Sequence, residues 1–125
     1  MNDIQILTDA EKDSVRRGGK ILRGCLDFMA TLVEPGITTQ ELDEKAEEFI
    51  RSHEGATPAF KGYQGYPATL CTSVNEQCVH GIPSNRELKE GDIIAIDCGV
   101  LLDELYTDAC ITVPVGRISS EAQLL

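Results

Sequence analysis

No apolar run in this sequence approaches the roughly 20 residues that a membrane span requires. Its first twelve residues, MNDIQILTDAEK, lack the basic, then apolar, then small-residue order of a secretory signal. Basic clusters are absent too: 21 acidic residues against 11 basic ones leave a formal charge of −10. That balance disfavours proteins that track phosphate backbones or dock on anionic lipid. The five cysteines, Cys25, Cys71, Cys78, Cys98 and Cys110, are odd in number and contain no C-x-x-C pair. They suggest reduced thiols rather than a disulfide framework or a zinc knuckle. The stretch CVH at residues 78–80 lacks the two further ligands of a closed zinc site. With no repeat, linker or low-complexity segment either, residues 1–125 read as one cytoplasmic, soluble domain without nucleic-acid or membrane partners.

What is present divides into two halves. Thr8 and Glu11 form a capping box ahead of Val15, Leu22, Cys25, Leu26, Met29 and Leu32 at helical spacing, which predicts a helix to Glu34, ended by Pro35-Gly36. Gly18-Gly19 weakens that helix by about 1 kcal/mol per glycine relative to alanine, and points to close packing against another element. A second capping box, Thr38 with Glu41, opens a helix with Leu42, Ala46, Phe49 and Ile50 inward. Its outward residues, Glu44, Lys45, Glu47, Glu48 and Arg51, read as a solvated face.

From Ala56 onward the pattern is of short extended runs punctuated by glycine and proline: ATPAF, KGYQGYP, ATLCTSVN, CVHGIP, DIIAIDCGVLL and LYTDACITVPVG. Two helices followed by a mainly antiparallel sheet make an α+β layer arrangement, with the helices on one sheet face. The stretch DCGVLLDELYTDA, residues 97–109, places Asp97 and Asp108 where a sheet interior calls for apolar side chains. If Asp103-Glu104 centres an even-numbered hairpin loop, Gly99 faces Asp108, Asp97 faces Cys110, and the two aspartates share a face. An odd loop sends them to opposite faces. As diagonal neighbours their Cα atoms lie roughly 7–8 Å apart, and two such carboxylates need a compensating charge between them, for which a divalent metal ion is the leading candidate. Near the end, Ser119 caps a helix with Glu121 in its first turn, and only six residues follow the cap. Isolated helices below about 12–15 residues are marginal, so the sequence reads as breaking off inside a third helix with a partner half absent.

GYQGYPATLCTSVNEQCVHGIP at residues 62–83, joined to GDIIAIDCGVLLDELYTDACITVPVG at residues 91–116, resembles the type I methionine aminopeptidases. The resemblance runs through essentially all 125 residues, on G-Y-x-G-Y-P, T-S-V-N-E, H-G-I-P and two aspartates at the family spacing. It implies the N-terminal half of a pita-bread (creatinase/aminopeptidase) fold, two similar α+β halves around a dinuclear metal centre. It implies further that Asp97 and Asp108 are metal ligands and that His80 contacts the substrate beside the metals. A methionine pocket would be formed by residues matching Phe60, Tyr63, Tyr66 and Cys71. The implied activity is removal of the initiator methionine from nascent polypeptides, with two divalent ions (Co, Mn, Fe(II) or Zn) as cofactors and N-terminal methionyl peptides as substrates. The family's other ligands, one histidine and two glutamates, belong to a second half not contained in these residues. His53, at the end of the second helix, matches no ligand position. Glu104 departs from the family in standing where a turn glycine is common.

The residue chemistry agrees with that implication. Carboxylate oxygens suit hard divalent ions, and a pair of ions can both acidify water and polarise a carbonyl. A neutral imidazole at a strand end can exchange a proton near pH 7. An aromatic pocket with a thiol suits an unbranched thioether. Two other readings stand beside this one: a non-catalytic pita-bread module that binds proteins, and a proline-specific peptidase of the same fold. The uncovered half-fold surface also leads us to expect self-association.

Overall fold

The computed structural model describes residues 3–125, so Met1 and Asn2 of the expected domain lie outside the described residues. Helix α1 (Asp9–Leu32) starts on the predicted capping box: Glu11 N donates to Thr8 Oγ1 at 3.2 Å and Thr8 N to Glu11 Oε2 at 2.7 Å. It ends two residues short of the predicted stop, at Val33. Helix α2 (Thr39–Arg51) repeats the device with Thr38 and Glu41. Then follow β1 (Thr57–Pro58), a 3-10 turn (Tyr63–Gly65), β2 (Leu70–Val74), β3 (Ile93–Leu102), β4 (Leu105–Pro114) and the four-residue α3 (Ser120–Gln123). Among the described residues no helix is long and apolar enough to cross a membrane.

Strand β3 organises the sheet. β4 pairs antiparallel along its whole length, from Ile93↔Pro114 to Leu102↔Leu105. On its other edge β2 takes Ile94 to Cys98 and β1 takes Val100 and Leu101, both also antiparallel. Alternation then sorts β3 by face. Ile94, Ile96, Cys98 and Val100 are fully buried under α1 and α2, where they meet Leu22, Met29, Leu42 and Ile50. Each such aliphatic side chain contributes roughly 1.5–3 kcal/mol of hydrophobic stabilisation, which makes this layer the core. The thiols of Cys25 and Cys98 meet in it at 4.0 Å, and all five cysteines are free.

Gly18 lies against Thr107 and Leu102, where an added Cβ would be 3.4 Å from Thr107 Oγ1 and 3.8 Å from Leu102 Cβ. Gly19 meets open space, so only the first glycine of the pair serves the contact. Two expected extended runs are not strands. KGYQGYP folds into the 3-10 turn, because Gly62, Gln64 and Gly65 all adopt positive φ, which a strand cannot contain. CVHGIP is an irregular segment laid against the outer edge of β2. Glu47, expected on a solvated face, bonds Lys61 Nζ at 2.8 Å and Thr69 Oγ1 at 3.3 Å instead.

Candidate functional site

The parity question resolves at the β3–β4 turn. Asp103 and Glu104 have φ of 50° and 64°, the double left-handed signature of a two-residue type I′ loop. Asp103 is held in the turn by Ser14 Oγ (2.7 Å) and Arg17 (2.6 Å), both reaching from α1. The even loop puts Gly99 opposite Asp108 and Asp97 opposite Cys110. Asp97 and Asp108 therefore stand on one face, the one turned away from the buried Ile96 and Cys98.

Their environments differ. Asp108 is exposed and Asp97 half-buried, with Asp97 Oδ1 shut off from solvent and without a hydrogen-bond partner. Burial, then the neighbouring Asp108 carboxylate, pushes the Asp97 pKa up to about 6, against a smaller opposing pull from His80. Cys71 on β2 and Cys110 on β4 both face Asp97 across the sheet. Burial and the two aspartates hold both thiols above their ordinary range.

All seven residues singled out from the sequence, Phe60, Tyr63, Tyr66, Cys71, His80, Asp97 and Asp108, line a single open cleft of ≈ 560 Å³. Gly99 admits Phe60: a Cβ there would lie 2.7 Å from Phe60 Cε1 and 3.0 Å from Ala59 Cβ. Tyr66 is fixed by its hydroxyl, which donates to Leu70 O at 2.7 Å. His80 is exposed and takes a φ of 60°, a conformation costing a non-glycine residue roughly 1–2 kcal/mol. The other histidine, His53, bonds Phe49 O at 2.9 Å at the end of α2 and takes no part.

The cleft also contains Gln64, Gly65 and Ile82, which sequence reading did not single out. Ile82 is 59% exposed, and its position directly after His80-Gly81 was the available sequence signal. Asp43 was missed as well. Its side chain reaches from α2 to accept from Thr69 N at 2.9 Å and Leu70 N at 2.7 Å, anchoring the start of β2 and so the place of Cys71. Asn75 ties the end of β2 to the start of β3, donating to Asp92 Oδ1 at 2.9 Å and accepting from Ile93 N at 3.0 Å. The buried hydroxyl of Thr72 has no hydrogen-bond partner.

An acidic pair with an orphaned, buried oxygen suits a divalent cation, which would neutralise both charges and satisfy Asp97 Oδ1. Among the described residues, no group of three or more His, Cys, Asp or Glu side chains is arranged to hold a metal ion. The pair therefore fits as part of a ligand set.

Residues 13–125 match metallopeptidase family M24. A methionine aminopeptidase of Clostridium perfringens is 53% identical over 122 residues, 98% of this chain and 49% of the relative. Methionine aminopeptidase 1 of Bacillus subtilis is 45% identical, over 94% of this chain and 47% of its own. The chain thus spans about half the length of the curated relatives it matches. The crystal structure of methionine aminopeptidase from Rickettsia prowazekii superposes with a TM-score of 0.94 at 38% identity, covering 98% of this chain and 49% of that one. An Xaa-Pro dipeptidase from Bacillus anthracis superposes at 0.82 with 20% identity, covering 95% of this chain and 32% of that one, a likeness of fold alone.

Proposed function

The chain belongs to metallopeptidase family M24, and from that premise we propose that it carries the metal-binding and methionine-recognising half of a methionyl aminopeptidase site. The observation that supports this best is the convergence of Asp97, Asp108, His80 and the aromatic pocket on one cleft. Family membership implies divalent metal. In our reading two such ions (Co, Mn, Fe(II) or Zn) complete the site with donors from outside this chain, and when bound they supply Lewis-acid chemistry for peptide hydrolysis.

The chain's own residues do the rest. Asp97 and Asp108 contribute carboxylate oxygens from one sheet face, held at a fixed separation by the hairpin register. Phe60, Tyr63, Tyr66 and Cys71 accept the unbranched thioether of an N-terminal methionine. His80 hydrogen-bonds the peptide beside the scissile bond, as donor or acceptor according to its tautomer. Residues 1–125 act as one domain in the cytoplasm, a setting in keeping with the five free thiols. The outer edge of β4, whose ladder engages β3 alone among the described residues, pairs with a second copy of the chain.

Methionyl-peptide titration followed by NMR tests the reading. With Mn(II) replaced by diamagnetic Zn(II), a methionyl peptide should shift Tyr63, Tyr66, Cys71 and His80, a lysyl peptide should not, and turnover by this chain alone should be negligible. Shifts elsewhere, or equal response to both peptides, would contradict it. Sedimentation equilibrium should show a concentration-dependent dimer.

A further inference from the structure

What keeps His80 in its unfavourable backbone conformation? The answer lies on the outer edge of β2. There Thr72 N donates to Gly81 O at 2.7 Å, while Gly81 N donates to Ser73 Oγ at 3.1 Å. A side-chain hydroxyl thus takes the place of the carbonyl that a neighbouring strand would offer. Ser73 is only 5% exposed, and Gly81 is buried against it. The approach is so close that a Cβ on Gly81 would run into the Thr72 carbonyl oxygen. Tyr66, itself a cleft residue, points its hydroxyl at the same spot, 3.5 Å from Gly81 O. His80 immediately precedes this anchor, at φ 60°, and lines the cleft with Asp97 and Asp108. A left-handed non-glycine residue persists only where its surroundings over-determine it.

We propose that Ser73 is a positioning residue for His80, its hydroxyl clamping Gly81 to β2 and so holding the histidine backbone in the left-handed conformation that lines the cleft. The inference rests on the proposed role of His80 for its functional meaning, but not for its geometry. Removing the hydroxyl leaves a buried Gly81 N–H without an acceptor, and the segment 80–81 then gains by leaving the sheet. Tyr66 does not replace that bond, because its hydroxyl gives its one proton to Leu70 O at 2.7 Å and approaches the Gly81 carbonyl rather than the Gly81 N–H.

The test is backbone NMR on the isotope-labelled chain, with neither metal nor turnover involved. In the unsubstituted protein the Gly81 amide should be protected from hydrogen exchange, and the His80 Cα and Cβ shifts should carry the positive-φ signature. Ser73→Ala should lower Gly81 protection by roughly tenfold or more and abolish that signature. The amides of Ile96 and Val100 should be unaffected, and Ser73→Thr should retain both features. A folded Ser73→Ala protein with the His80 signature intact would overturn the proposal. Gly81 exchanging in the unsubstituted protein as fast as an open loop amide would do so too, and that measurement decides the matter even if Ser73→Ala fails to fold. If His80 moves while methionyl-peptide binding is unchanged, the clamp stands and the functional role of His80 falls.

Discussion

The two faces of β3 are built from the same ten residues to opposite ends. On the helix side Ile94, Ile96, Cys98 and Val100 are all fully excluded from solvent. On the other side Ala95, Asp97 and Leu101 are only half covered, Gly99 has given up its side chain to admit Phe60, and Asp97 keeps an unpaired oxygen. One face is made for stability, whereas the other tolerates repulsion and an unsatisfied atom. The difference teaches that the stability of this fold resides under the helices, and that substitutions of the half-covered polar side chains on the open face should change binding more than folding.

The sharpest way to break that comparison is a matched pair of adjacent substitutions. Ile96→Ala should lower unfolding free energy by about 2–5 kcal/mol in urea. Asp97→Asn, one residue away, should leave stability unchanged or raise it, because it removes a like-charge contact. Equal losses in the two proteins would end the distinction. Gly99→Ala comes next. Its Cβ would sit 2.7 Å from Phe60 Cε1, so overpacking should cost about 1–3 kcal/mol and displace Phe60, read out by thermal unfolding and by the Phe60 ring signals.

A smaller effect, of opposite sign, is expected on β2. Thr72 buries a hydroxyl without a partner, and unlike the orphaned oxygen of Asp97 it faces the core, opposite Ile96. Thr72→Val should therefore stabilise by about 1 kcal/mol. A loss of stability there would mean that the hydroxyl is satisfied in solution.

The smallest effect concerns pH. The Ser14 hydrogen bond, then Arg17, holds the Asp103 carboxyl below its ordinary 3.8. A depressed folded pKa stabilises above the unfolded value, and that contribution disappears as pH falls through the folded one. Asp103→Asn should accordingly lower stability slightly across the neutral region and converge with the unsubstituted protein as pH falls below 3.8, which flattens the acid limb of the stability curve. An unaltered acid limb would place the sensitivity elsewhere.

Sequence reading reached the hairpin because its logic is local. A two-residue loop at Asp103-Glu104 and a period of two are enough to place Asp97 and Asp108 on one face. Both helix starts were legible for the same reason, since a capping box spans four residues. The 3-10 turn at Tyr63–Gly65 escaped because its alternation of glycine with tyrosine and glutamine imitates a strand, while nothing in the residue type of Gln64 announces its positive φ. The Ser73–Gly81 clamp and the grip of Asp43 on Thr69 and Leu70 were invisible for a different reason. They join residues 8, 26 and 27 positions apart, and no periodicity encodes such pairs. The pocket residues were recognised from a family resemblance, and only the folded chain brings them to one cleft.

The account depends most on Asp97 and Asp108 acting together on a cation. Titrating the chain with Mn(II) and following free ion by electron paramagnetic resonance addresses this directly, because no turnover is needed. The account predicts weak, saturable binding that is lost in both Asp97→Asn and Asp108→Asn while each protein remains folded. Binding that survives either substitution undiminished, or no saturable binding by the unsubstituted chain, would contradict it.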